Sequence, residues 1–223
     1  MWGRRVDGLT LTFHLAGINN QNFLMRDEQT GSYWQQISGK AISGPLRGRS
    51  LPLVHSDELS FRVWRDERPK GRVLAPVAED AHEYEAKDWD KKMEKLPVVI
   101  QFPNSGLPMR EQVLGIFNAE GSRAFPLRKV LQEGLVLSRV GNQAVLLVVA
   151  SDGVSVRAFE NLSPARDFYR VGGNFTDAQT GSQWDFQGCA IEGPERGHCL
   201  KPVDMVKDYW FDWKNYHPAT TTY

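Results

Sequence analysis

Residues 9–17 alternate between apolar and polar, the period of a strand with one covered face. Leu11, Phe13 and Leu15 share that face, and His14 falls opposite with Thr10 and Thr12, where a solvated or hydrogen-bonded histidine is expected. A second strand is expected over residues 22–26, and Asp27 to Ser32 turn the chain into a third that carries Tyr33 and Trp34. Asp can bond its own backbone in such a turn and Gly can take a positive φ. A strand around Ala41 and Ile42 leads to a turn at Gly44, Pro45 and Gly48, with Leu51 and Leu53 alternating on its return. Ser56 or Asp57 is placed to cap a short helix over residues 58–66, with Phe61 and Trp64 at helical spacing. Pro69 ends that helix, and Val73 and Leu74 close the unit.

Residues 78–95 break the pattern with a charged run that reads as a solvated connector with some helix. New β-structure is expected from Pro97 to Phe102. Val113 to Phe117 and Ser122 to Phe125 then flank a hairpin turn at residues 118–121. Pro126 can open a helix over residues 127–132. Leu135 to Val140 and Gln143 to Val149 flank Gly141 and Asn142 as a second hairpin, and Val154 to Phe159 is a further strand.

The chain writes one stretch twice. Asp27-Glu28-Gln29-Thr30-Gly31-Ser32-Tyr33-Trp34 returns 150 positions later as Asp177-Ala178-Gln179-Thr180-Gly181-Ser182-Gln183-Trp184. Gly39 to Gly48 returns as Gly188 to Gly197 at an offset of 149, which then holds through Leu51/Leu200, Trp64/Trp213 and Pro69/Pro218 to Leu74/Tyr223. Doubling on this scale organises a fold. The fold class expected is mainly β, with two pseudo-symmetric repeats of antiparallel strands, each with a short helix. The boundaries are residues 1–77 for the first repeat, 78–96 for the connector and 97–223 for a fuller second repeat. Residues 111–153 of the second have no counterpart before Arg4, so the first repeat reads as incomplete at its front.

Composition narrows the function only by exclusion. The 27 basic residues balance 27 acidic ones, so the chain carries no electrostatic footprint for nucleic acid or anionic lipid. No apolar run reaches the ~18 residues of a membrane helix, and Met1-Trp2-Gly3-Arg4-Arg5 does not read as a secretory signal. Nucleotide loops, nucleophile elbows, zinc-protease helices and Cys-x-x-Cys pairs are all missing from the sequence.

With these residues in hand, the chain resembles a bacterial and archaeal family known as domain of unknown function 3179. The resemblance rests on Arg5-Val6-Asp7-Gly8, on Leu24-Met25 with the Asp27–Trp34 motif, and on Gly39 to Gly44. It rests also on Arg123-Ala124-Phe125-Pro126 and His217-Pro218-Ala219-Thr220. The family places a Cys-Pro-Leu-Cys strand before the Arg-Val-Asp-Gly element, which here would precede Met1; residues 147–153 hold no cysteine, and the His-Pro signature is Arg68-Pro69 in the first repeat. Members often look exported, which implies an extracytoplasmic setting.

Three groups of residues are candidates for chemistry. Asp27, Thr30, Ser32 and Trp34 with Asp177, Thr180, Ser182 and Trp184 form either a self-satisfied turn anchored by tryptophan or a small-ligand or glycan surface with stacking platforms. Cys189 and Cys199 flank the turn around Pro194, where a cross-strand disulfide, free thiols or a metal site with His198 are open readings. His198 would point to the opposite face of a regular strand from Cys199. His217 sits among Trp210, Trp213, Tyr216 and Tyr223, more a core setting than a catalytic one, and Asp80, His82, Glu83 and Glu85 are more a solvated run than a chelate. No cofactor is indicated. The reading is a non-catalytic binding or assembly module, with a protein partner or second copy completing the first repeat. The alternative is an extracytoplasmic hydrolase or metal-dependent enzyme with its site between the repeats.

Overall fold

One strand with two apolar faces lies at the centre of the second half. β10 (Gln143–Val149) sends Val145, Leu147 and Val149 into one core cluster and Leu146 and Val148 into another. The period of two along a strand makes this division. β9 (Leu135–Val140) and β11 (Val156–Glu160) pair with it antiparallel on either side, so the segment has no free edge. The computed structural model describes residues 1–19, 22–99, 102, 106–162 and 164–223, with the side chain of residue 90 set aside.

In chain order, β1 (Arg5–Val6) and β2 (Leu9–Thr10) form a small hairpin. A four-stranded antiparallel meander follows: β3 (Phe13–Asn19), β4 (Asn22–Asp27), β5 (Tyr33–Gln35) and β6 (Ala41–Ser43). The single strand expected over 9–17 is therefore two, because the chain leaves one sheet for the other at Leu11, which is buried and donates its N–H to Arg4 O. α1 (Phe61–Glu67) starts later than expected. Ser60, not Ser56 or Asp57, caps it through the Val63 N–H; Ser56 accepts from the chain's amino terminus and Asp57 is held by Arg157. The connector carries a 3₁₀ turn (Ala78–Asp80) and α2 (Trp89–Met93).

Residues 97–99 are not a strand, and residues 100 and 101 of the stretch expected to be β lie outside the described residues. The next sheet is ordered β16-β7-β8-β17, from β7 (Gln112–Asn118), β8 (Gly121–Pro126), β16 (Val206–Tyr209) and β17 (Thr221–Thr222). Its β17–β8 pair is parallel, against the expectation of antiparallel strands throughout. α3 (Leu127–Glu133) ends at Gly134 with φ 73°. A second four-stranded meander is built from β12 (Phe168–Val171), β13 (Asn174–Asp177), β14 (Gln183–Trp184) and β15 (Ala190–Glu192). α4 (Trp210–Tyr216) packs against β7. Gly115 of β7 is there because of it: a Cβ at that position would stand 2.2 Å from the Trp213 ring.

The protein is mainly β, and its core is unevenly divided. Among the described residues, the second half buries three clusters, between α4 and β7–β8, between β7–β8 with α3 and β9–β11, and between β9–β11 and β12–β15. The first half has one small cluster of Val6, Leu11, Trp34, Ala41 and Leu51.

Candidate functional site

The doubled turns come first because their side chains are the strongest sequence candidates. The Asp27 carboxylate accepts from Thr30 N at 2.5 Å, Thr30 Oγ1 at 2.9 Å, Ser32 N at 3.1 Å and Trp34 Nε1 at 2.8 Å. Asp177 accepts from Thr180 N at 2.7 Å, Thr180 Oγ1 at 2.8 Å and Trp184 Nε1 at 3.0 Å. Ser32 Oγ accepts from Leu46 N and Ser182 Oγ from Glu195 N, each at 3.0 Å, tying each turn to the next one along the chain. Asp27, Ser32, Trp34, Asp177, Ser182 and Trp184 are all buried, and Thr30 and Thr180 are partly so. Burial pushes both carboxyls up, but the bonds from tryptophan, threonine and backbone, with Arg166 beside Asp177, bring them below the usual carboxylate range. Their polar capacity is spent inside the turn, and neither indole offers a face to solvent.

Cys189 and Cys199 are joined as a disulfide across an antiparallel bridge, at the place where Lys40 and Ser50 make the same bridge in the first half. A cystine sulfur is not a thiolate ligand, so the thiol and metal readings of this pair do not hold here. His198 is exposed and bonds Glu195 Oε2 at 2.7 Å, while Glu195 also holds Arg166. His217 is stacked on Trp213 at 3.9 Å, and burial lowers its pKa. In the connector His82 pairs with Glu83 on the surface. Among the described residues, no three of His, Cys, Asp and Glu gather as a metal set.

What sequence reasoning passed over is a pair of carboxylates on the α4 side of the junction between the halves. Asp212 in α4 accepts from Asn22 Nδ2 of β4 through Oδ2 at 2.7 Å, and Asp208 in β16 accepts from Tyr209 N. Their other oxygens, Asp212 Oδ1 and Asp208 Oδ2, are buried and have no partner, and Asn22 Oδ1 is in the same condition. Burial, with the Asp212 charge added, pushes the Asp208 carboxyl up to about 7; burial raises Asp212 despite the Asn22 bond. Tyr216 is raised by burial and by both acids, and its hydroxyl donates to Asn19 O. Asn22 and Asp208 also line a cleft of about 370 Å³ with Trp2, Gln36, Leu53 and Phe117. The legible signal was two acids four residues apart inside an aromatic stretch, which solvated acids rarely occupy.

The same junction holds a charge clamp. Arg157 on β11 donates to Asp57 at 2.9 Å and makes a two-pronged bond to Glu67 at 2.6 and 2.8 Å, with its guanidinium over the Phe186 ring. His55 meets Asp204 at 2.9 Å nearby.

Matched elements differ in what covers them. α1 and α4 have equal length at an offset of 149, yet α4 buries Trp210, Phe211, Asp212 and Trp213 and α1 buries nothing. Phe61 is 59% exposed where Trp210 is 1%. Thr221 and Thr222 pair with β8, whereas Arg72 and Val73 pair with no strand and Leu74 is 96% exposed. The registers place Met25 where the second half has Phe175, and only Phe175 is fully covered. Leu15, Ile18 and Phe23 of the β3–β4 hairpin add further exposed apolar side chains.

A mainly β chain with paired Asp–Trp turns, a charge clamp and several exposed apolar side chains in its first half is thus defined. It belongs to the family described as a protein of unknown function, DUF3179, whose model matches residues 1–220. No curated protein and no solved structure matches the chain.

Proposed function

We propose that the protein is a non-catalytic assembly module whose first half receives apolar β-structure from a partner polypeptide. The observation that carries this is the α1/α4 contrast: one helix of the pair is packed under β7 and β8, and the other, of the same length and aromatic spacing, buries none of its residues. On this reading the two halves descend from one duplicated unit related by a pseudo-twofold axis. The partner takes the place that β7 and β8 fill in the second half. The buried, internally bonded Asp–Trp turns, with Asp27 and Asp177 each enclosed in its own turn, support a scaffold role for the motif over a ligand surface. The Cys189–Cys199 bond fits work in an oxidising compartment, as an exported subunit of a complex.

Exposed apolar faces promote association when their partner is absent. The isolated chain is expected to self-associate with concentration in sedimentation velocity and to bind a hydrophobic-surface dye. Ile18→Asp with Phe61→Asp is expected to reduce both while leaving circular dichroism unchanged. A monodisperse parent that binds no dye at its highest attainable concentration overturns the reading.

A further inference from the structure

We propose that Asn22, Asp208 and Asp212 bind a hard divalent cation of the Mg²⁺, Mn²⁺ or Ca²⁺ class at the junction of the two halves. Three oxygens from these residues are buried without a hydrogen-bond partner, and Asp212 itself is only 6% exposed. Orphaned buried acceptors are costly, and two carboxylates side by side more so. Among the described residues, these donors near the group already have partners. Tyr209 N and Asn22 Nδ2 serve the inner oxygens, the Tyr216 hydroxyl goes to Asn19 O, and Lys207 pairs with Glu58. What remains is an acceptor-only set that a positive ion can satisfy.

The donor types select the ion. Carboxylate and amide oxygens suit hard cations, and Mg²⁺ in particular is held by one or two carboxylates with water completing its shell. The adjoining cleft, about 370 Å³ and lined by Asn22 and Asp208, gives water and ion a way in. Imidazole and thiolate, which would favour zinc or copper, take no part: His217 is stacked on Trp213 and both cysteines are in the disulfide. The site joins β4 to β16 and α4, so an ion here would fasten the hairpin of the first half to the helix of the second. This is independent of what covers the apolar faces.

The test uses the whole chain stripped with a chelator. Mn²⁺ titration followed by electron paramagnetic resonance is expected to show one bound ion per chain, displaced by Mg²⁺ or Ca²⁺. Asp212→Asn and Asn22→Ala are each expected to weaken binding at least about tenfold, since ligand charge and count set affinity at such sites. Thermal unfolding guards against a trivial loss of fold. Without metal, Asp212→Asn removes like-charge repulsion and is expected to melt no lower than the parent, but it should lose the rise in Tm that Mn²⁺ gives the parent. The proposal is overturned if the parent binds none of the three ions at millimolar concentration, which would mean the acids are satisfied by sharing a proton. It is equally overturned if both variants bind Mn²⁺ as tightly as the parent, which would place the ion elsewhere.

Discussion

At the scale of single residues, the paired turns make the sharpest predictions. Trp184 is fully buried and its indole N–H is fixed on Asp177. Trp184→Ala is expected to cost about 3–5 kcal/mol, read from denaturant midpoints at unchanged m-value. Asp27 and Asp177 have folded-state pKa values below their unfolded ones, so the native state binds fewer protons than the unfolded chain in the acid range. The stability they contribute is complete above an unfolded pKa of about 3.9 and is lost as pH falls through the folded values. A Tm-against-pH series should therefore fall steeply below about pH 4, and Asp177→Asn should flatten that limb while lowering Tm at neutral pH. A limb of unchanged steepness would remove these turns from the account of acid unfolding.

Among the elements, close approach decides what is tolerated. Gly44 and Gly193 hold φ of 93° and 89°, and a Cβ at either would come within 2.6 or 2.7 Å of the Cα of Ser32 or Ser182. Gly115 admits the Trp213 ring against β7. Gly115→Ala is expected to cost about 1–3 kcal/mol, the usual range for overpacking, and to shift tryptophan emission as α4 lifts; an unaltered spectrum at full stability would mean the helix accommodates it. Titration of the unfolded, unreduced chain should find no free thiol, because Cys189 and Cys199 are bonded to each other. Much at this scale was readable beforehand. Turn residues and the apolar stretches they flank located β7 to β10, and the repeated motif placed Trp34 and Trp184 both in strands. The helix cap was missed because three hydroxyl or acid residues competed, and the winner was settled by Arg157 and the amino terminus, groups remote in sequence. The Asp208–Asp212 pair was missed for a similar reason: Asn22, which bonds Asp212, is distant along the chain.

For the whole molecule, the charge clamp is one of the contacts that fasten the joint between the halves. Arg157 meets Asp57 and Glu67 with little exposure at its own side chain. Removing one partner of such a cluster leaves uncompensated buried charge, typically at a cost of about 3–5 kcal/mol. Arg157→Ala is expected near the lower end, since Asp57 reaches solvent, and limited proteolysis should then cut first between residues 53 and 77. Cleavage at the same sites and rate in parent and variant would show that the clamp does not govern the joint. The sequence alone did not show how differently two helices of the same length would be buried.

β10 has a consequence beyond native packing. Its residues, Gln143 to Val149, combine strong β preference with no charge and no proline, the composition that stacks readily into cross-β fibrils. In the folded chain β9 and β11 occupy its edges and core clusters its faces. Any state that peels β11 away leaves a sticky template, and nascent chains pass through such a state before residue 160 has emerged from the ribosome. Yield in expression should therefore depend on chaperone supply more than on equilibrium stability, and insoluble material should have its protease-resistant core at residues 143–149.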